Sequence, residues 1–316
     1  MERLPAACMK QSSGKNVWAK KIIIFSPAYR EDEFEEVLES CEHLVFNSFS
    51  QLECFGERAA KAGKSVGIRV NPECSTQGEH AIYDPCAPGS RLGILVSEFP
   101  ETLLSYVEGL HFHTLCEQNA DALEITLKAV EEKFGKWMKQ LKWVNFGGGH
   151  HITRADYDRE LLISCVRRIQ DTYNVQVYLE PGEAVALNAG HLITTVEDIV
   201  HNDIAVLDVS AACHMPDVIE MPYRPPLFDS GEAKEKEYTY LLGGPTCLAG
   251  DVIGSYSFDQ PLKVGDRLTF GDMAIYTTVK NNTFNGMRLP DIVWEKENGE
   301  CEIVKSFGYE DFKCRL

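Results

Sequence analysis

Six short apolar runs punctuate the first 180 residues, and helix-like stretches separate them. Ile22–Ser26, His43–Asn47, Ser65–Asn71, Gly109–Thr114, Leu141–Phe146 and Val175–Glu180 each read as a strand, rich in Ile, Val, Leu and Phe. Arg30–Glu39, Gln51–Ala62, Asp121–Lys139 and Asp158–Tyr173 carry apolar residues at helical spacing. Leu92–Leu110 continues the alternation after a polar loop, Glu73–Arg91, that is rich in Pro, Gly and Ser. Strand, helix, strand in repetition is the pattern of βα units on a parallel sheet. The fold expected is therefore α/β, read as an incomplete TIM-type βα barrel. Residues 1–21 show no clean period and hold Ser12-Ser13-Gly14.

After residue 185 helical periodicity fades. His191–Val200, Ile204–Val209, Tyr238–Leu242, Arg267–Phe270 and Ile275–Val279 are short β-rich runs joined by Gly- or Asn-bearing turns. They predict a C-terminal antiparallel β domain. The chain thus divides into a barrel domain, 1–185, and a β domain, 186–316. Lys263-Val-Gly-Asp-Arg267 is a rim turn that needs no function.

A net charge of −17 argues against nucleic acid, whose phosphates would be repelled. It suits a cationic small substrate, or simply a solvated acidic surface. The cysteines number 11, an odd count with irregular spacing and no CxxC pair. Nothing before them resembles a secretory leader, so reduced thiols in a cytoplasmic protein are expected. No run is long and apolar enough to span a membrane, which takes about 20 residues.

Catalytic residues of a βα barrel gather at the carboxyl ends of its strands. Gly147-Gly-Gly149 end one strand; bare backbone there can cradle a phosphate, or make a tight turn that needs positive φ. Glu180 ends the next strand, before Pro181-Gly182, and reads as a ring-nitrogen partner, a buried ion pair or a helix cap. His111 and His113 alternate on one strand and share a face; His113 can stack on a flat ring or be a satisfied core histidine. In the β half, Gly243-Gly-Pro-Thr-Cys247 and Asp251 form a loop with one thiol and one carboxylate. Cys213-His214 near Asp217 and Glu220, and the pair His150-His151, lack the second Cys/His pair a metal site needs, so no metal is expected. Tyr276 can offer its hydroxyl to a phosphate or be a half-buried strand tyrosine.

From Ser26 onward the chain resembles the carboxynorspermidine decarboxylases, pyridoxal-phosphate enzymes with an alanine-racemase-like barrel. The matching stretches are Ser26-Pro-Ala-Tyr-Arg-Glu31, Cys86-Ala-Pro-Gly-Ser-Arg-Leu-Gly93, Leu110-His-Phe-His-Thr-Leu-Cys-Glu-Gln118 and Asn145-Phe-Gly-Gly-Gly-His-His151. Glu180-Pro-Gly-Glu183, Ser210-Ala-Ala-Cys-His-Met-Pro-Asp217, Pro245-Thr-Cys-Leu-Ala-Gly-Asp251 and Thr283-Phe-Asn-Gly286 follow. Glu183 and the Cys-His-Met-Pro-Asp run match this branch rather than the ornithine enzymes, which have Arg at the place of Glu183.

The resemblance implies roles. His113 stacks on the pyridine ring; Gly148, Gly149 and Tyr276 hold the phosphate of pyridoxal 5'-phosphate; Glu180 bonds the ring nitrogen. Cys247 protonates the carbanion, reaching in from the partner subunit of a homodimer. Glu183 and Asp217 bind the amines of a carboxylated polyamine, with Asp251 nearby. The reaction implied is decarboxylation of carboxynorspermidine or carboxyspermidine to norspermidine or spermidine.

The sequence departs from the family at its start. The lysine that forms a Schiff base with the cofactor lies, in the family, well upstream of Ser-Pro-Ala-Tyr. Lys10, Lys15, Lys20 and Lys21 are present in other contexts, and six strands are two short of an eight-stranded barrel. A chain lacking its first strand and that lysine is expected. Two alternatives follow: a catalytically dead relative, or a diaminopimelate-type decarboxylase. A nucleotide-binding Rossmann unit is a poor fit, because the three glycines do not match GxGxxG.

Overall fold

The computed structural model describes residues 22–78 and 81–316. The four lysines named at the start of the chain lie outside them. The chain forms two compact units, one ending at Val185 and one running from Ala186 to Leu316.

The first unit is built on six parallel strands in sequential order. They are β1 (Ile23–Phe25), β2 (His43–Phe46), β3 (Ser65–Arg69), β4 (Val107–His111), β5 (Trp143–Asn145) and β6 (Gln176–Tyr178). Between them run α1 (Phe34–Ser40), then α2 (Phe49–Gln51), which passes through a π turn, Leu52–Gly56, into α3 (Glu57–Lys61). The longer helices are α4 (Ala120–Met138) and α5 (Arg159–Tyr173). On α4, Leu123, Leu127, Val130, Phe134 and Met138 recur at helical spacing and are all buried. Helix α5 starts on Asp158, whose carboxylate accepts from the Leu161 N–H at 2.9 Å, and stops at Asn174 with φ of 55°. All six strands and the four helical stretches read from the sequence are present.

Strand periodicity sorts the residues into two faces. Val66, Ile68, Leu110 and Val144 belong to the apolar cluster that also holds the helix residues. The alternate positions pair across the sheet as Gly67, Gly109 and Trp143, then as Arg69, His111 and Asn145. Trp143 fills the space the two glycines leave: a Cβ on Gly109 would lie 1.9 Å from its ring, and one on Gly67 2.3 Å away. Its indole N–H donates to Ser65 Oγ at 2.8 Å. The polar row lies one step toward the carboxyl ends.

A short helix, α6 (Gly182–Ala186), follows β6. The second unit holds a five-stranded sheet in the order β10-β9-β8-β7-β11. Its strands are β7 (Leu192–Val200), β8 (Ile204–Leu207), β9 (Tyr238–Gly243), β10 (Val252–Phe258) and β11 (Arg267–Phe270). Three pairings are antiparallel and β8 with β9 is parallel, so the sheet is mixed rather than purely antiparallel. The parallel pair needs a crossover, and residues between Leu207 and Tyr238 supply it with α7 (Ala211–His214) and α8 (Asp217–Glu220). The run Ile275–Val279, expected as a strand, is instead a helical turn, α9 (Tyr276–Val279). Near the end come a hairpin, β12 (Ile292–Glu295) with β13 (Cys301–Lys305), and α10 (Tyr309–Lys313).

Candidate active site

In the first unit the polar row meets the loops that follow β4, β5 and β6. Asn145 is fully buried and works in two directions. Its amide donates to Glu180 Oε1 at 2.8 Å, and its carbonyl oxygen accepts the Gly147 N–H at 2.9 Å. One side chain therefore fixes both the carboxylate and the start of the glycine turn. Sequence reasoning passed it over as part of an apolar strand; its inward, period-two position was the available signal.

The glycine turn is required by close approach as well as by conformation. Gly147 and Gly149 have φ of 72° and 80°, where a side chain is strained. A Cβ on Gly149 would come within 2.1 Å of the Leu115 carbonyl oxygen. At Gly148 it would lie 2.7 Å from the Glu180 carbonyl oxygen and 3.2 Å from His113 Cε1. These contacts put the His113 ring, the Gly148 backbone and residue 180 side by side. The Gly148 N–H is not bare: it donates to His113 Nδ1 at 3.3 Å, which leaves the imidazole proton on Nε2. Nor do the glycines open a helix, since α5 begins only at Arg159.

Burial, aided by the charge of Arg69, pushes the His113 pKa down to about 4, so the ring is neutral at pH 7. His111 is 1% exposed, and burial depresses it as well, against the pull of Glu180. Its Nε2 stands 3.4 Å from Glu180 Oε1, and its ring stacks on Phe25 at 5.4 Å. Burial alone would raise the Glu180 carboxyl. Contact with His111 and the Asn145 amide outweighs it and holds Glu180 well below the usual carboxylate range. The Glu180 side chain is nevertheless 39% exposed, and its second oxygen makes no hydrogen bond among the described residues.

Arg69 completes the row. It is buried, its guanidinium lies 4.4 Å over the Phe25 ring, and Nη2 donates to the His113 carbonyl at 3.3 Å. Burial lowers its pKa to about 10, which still leaves it cationic. Neither Arg69 nor Asn145 was singled out from the sequence. Glu183, on α6, accepts from Thr153 Oγ1 at 2.8 Å and faces His151 Nε2 at 3.9 Å.

The remaining predicted residues lie in the second unit. Asp217 opens α8 and pairs with Lys280. Tyr276 is 62% exposed, with the Lys280 ammonium 5.2 Å from its ring centre. Cys247 is exposed, and its N–H donates to Asn285 Oδ1 at 2.8 Å. Asn285 sits at φ of 60°, next to Gly286 at 77°, so the Thr-Phe-Asn-Gly run is the tie that holds the cysteine loop.

Asp251, expected beside the substrate carboxylates, is 4% exposed. Oδ1 accepts from Ser210 Oγ at 3.0 Å and Ala212 N at 3.2 Å. Oδ2 accepts from Thr246 Oγ1 at 2.7 Å and Thr246 N at 3.3 Å. Its lone pairs are used inside the fold, linking the cysteine loop to α7. His214 is similarly satisfied. Nδ1 accepts from the Ser210 N–H at 3.2 Å, so Nε2 carries the proton toward the Arg288 carbonyl at 3.0 Å, and neither nitrogen is left for a metal.

The first unit thus gathers an anionic carboxylate, a neutral imidazole and a glycine turn at the carboxyl ends of a parallel βα sheet. A family described as pyridoxal-dependent decarboxylase, C-terminal sheet domain, matches residues 26–274. The carboxynorspermidine/carboxyspermidine decarboxylase of Campylobacter jejuni is 47% identical, over 95% of this chain and 81% of that protein. The carboxyaminopropylagmatine decarboxylase of Synechocystis is 40% identical, over 95% of this chain and 78% of that protein. The crystal structure of the Campylobacter jejuni carboxynorspermidine decarboxylase complexed with norspermidine superposes with a TM-score of 0.85 and 46% identity, covering 94% of this chain and 81% of that one. The chain belongs to the pyridoxal-dependent decarboxylases, in the branch of the carboxynorspermidine/carboxyspermidine enzymes.

Proposed function

We propose that this chain decarboxylates carboxynorspermidine or carboxyspermidine, using pyridoxal 5'-phosphate, in polyamine synthesis. The observation that carries the reading is the Glu180 carboxylate, held anionic and oriented by Asn145 beside His113 and the Gly148 backbone. When bound, the cofactor supplies an electron-withdrawing ring that accepts the electron pair left as CO2 departs. Glu180, His113 and the glycine turn fit that group. Glu180 keeps a proton on the ring nitrogen, because an anionic partner favours the cationic form. His113, being neutral, lies against the ring face without repelling its charge. Gly148 allows close approach by having no side chain, and Gly149 and the Tyr276 hydroxyl take the phosphate.

Glu183 and Asp217 take substrate ammonium groups through charge-assisted hydrogen bonds. The Cys247 Sγ–H delivers a proton to the carbon that lost CO2. Its exposure suits a thiol that serves a partner subunit, and we read the protein as a cytoplasmic homodimer. Ile292, Val293, Trp294, Ile303 and Val304 are all at least 40% exposed on the β12–β13 hairpin. An isolated hairpin is marginal in water, so this apolar pair is a surface for a second copy to cover. We read Asp251 as a positioning residue that sets the cysteine loop.

The test is turnover. Purified protein with pyridoxal 5'-phosphate is given carboxynorspermidine, carboxyspermidine, carboxyaminopropylagmatine and diaminopimelate in separate assays. Norspermidine or spermidine, detected by mass spectrometry, is the expected product. A preference for diaminopimelate, or no product from any substrate, overturns the reading. Light scattering checks the dimer.

A further inference from the structure

In the second unit one cation is held where the substrate's amine is expected. Asp217 and Glu220 lie one helical turn apart on α8, and both pair with the Lys280 ammonium, Glu220 Oε2 at 3.1 Å. Lys280 directly follows α9, and its N–H bonds to the Tyr276 carbonyl at 2.8 Å. The placement is anchored from behind. The next residue but one, Asn282, donates from its backbone to Cys213 O at 3.0 Å and from its side chain to Ala212 O at 2.8 Å. The Tyr276 ring lies beside the same ammonium, 5.2 Å from its centre.

Lys280 ends in a primary ammonium on a four-carbon chain, which is chemically one end of a polyamine. Two carboxylates and an aromatic ring are what such an end requires. The pair is not saturated. Asp217 Oδ2 and Glu220 Oε1 make no hydrogen bond among the described residues, and one lysine offsets only one of two negative charges. Burial of Lys280 opposes its charge, but the two carboxylates outweigh burial and raise its pKa, so the cation is permanent at pH 7.

We propose that Lys280 is a specificity-determining residue, a resident ammonium that occupies half of the Asp217–Glu220 pair. It leaves room and charge for a single substrate ammonium. This rests on the reading of Asp217 as a substrate contact. A bare pair would hold cations more tightly and with less discrimination. With Lys280 present, a multiply charged amine gains from one contact only, and product leaves readily.

The test is titration calorimetry with norspermidine and with propylamine, on purified full-length protein of confirmed fold. Lys280→Met removes the charge and keeps the stem; Lys280→Gln serves if that variant folds poorly; Lys280→Arg keeps the charge. Loss of a unit charge a few ångströms from the ligand, at partly exposed carboxylates, is worth about tenfold in affinity. Norspermidine is therefore expected to bind Lys280→Met about tenfold tighter, with a steeper loss of affinity as salt rises. Propylamine is expected to gain less, and Lys280→Arg to match the parent. Unchanged or weaker norspermidine binding by both neutral variants overturns the proposal. Asp217→Asn separates the causes. If it weakens norspermidine and the neutral Lys280 variants do not tighten it, only the role of Lys280 fails. If Asp217→Asn has no effect, Asp217 is not the substrate contact and both fall together.

Discussion

Gly109→Ala is the smallest change that tests how the sheet interior is built. The new methyl would fall 1.9 Å from Trp143 Cε2, with two further ring atoms within 2.2 Å. Ordinary carbon contacts need about 3.5–4.0 Å, so ring and strand must separate by roughly 1.5 Å or more. The ring cannot swing away freely. It is 3% exposed, its N–H is bonded to Ser65, and its outer atoms lie over Gly67. Overpacking of this kind costs about 1–3 kcal/mol, and a gap this large belongs at or above the upper end. Gly182→Ala is the control, because nothing lies within 4 Å of its added Cβ. It should change stability by no more than about 1 kcal/mol. Two units need not unfold together, so the readout is hydrogen exchange of peptides spanning β3 to β5. Trp143→Leu is destabilising by itself, yet in the Gly109→Ala background it should recover at least about 1 kcal/mol of the glycine penalty. A Gly109→Ala cost under about 0.5 kcal/mol, or strict additivity with Trp143→Leu, would refute this account of the packing.

Asn145→Ala should lower kcat by about 10- to 100-fold, the worth of a hydrogen bond to a charged group, and steady-state assays check it; Asn145→Asp should be worse, since a second carboxylate faces Glu180. Asp251→Ala leaves Ser210, Ala212 and Thr246 without their acceptor, so the second unit should lose about 2–4 kcal/mol in urea unfolding, and Cys247 should alkylate faster as its loop loosens. Acid should weaken the first unit in two windows. His113 and His150 are both lowered to about 4, so the unfolded chain binds their protons first and stability falls from about pH 6.5 down to about pH 4, by on the order of 1–3 kcal/mol per ring. Glu180, depressed below its ordinary value of 4.5, adds a further loss only below that pH. His150→Asn should remove part of the first window, and urea unfolding between pH 4 and 7 measures it.

The parallel sheet was legible because its strands report one property, apolar runs bounded by Pro, Gly or charge, that local composition carries. Glu180 and His113 drew notice for a related reason: each is a polar group at the carboxyl end of an apolar strand, although a core histidine, a buried ion pair or a helix cap would read the same way. Asn145 and Arg69 obey the same rule but sit inside the runs, where they look like interruptions. Their role comes from register, Arg69 against His111 against Asn145, and register depends on pairing that no single strand encodes. The same limit explains the second unit. Ile275-Tyr-Thr-Thr-Val279 is rich in β-branched and aromatic residues, yet it forms a helical turn. Strand propensity measures fit to a pleated neighbour, and this run pairs with none; β11 and β10 are the edges of the sheet, and their outer sides carry the single bridges Leu227–Phe270 and Gly231–Ser257 instead. The consequence reaches the site. On a strand, Tyr276 and Lys280 would lie four residues apart along an extended chain. On a helical turn they share a face, and the ammonium comes to rest beside the phenol ring. The carboxylates that hold it sit on α8, more than fifty residues earlier, so the Asp217–Glu220–Lys280 cluster exists only through the crossover that makes β8 and β9 parallel.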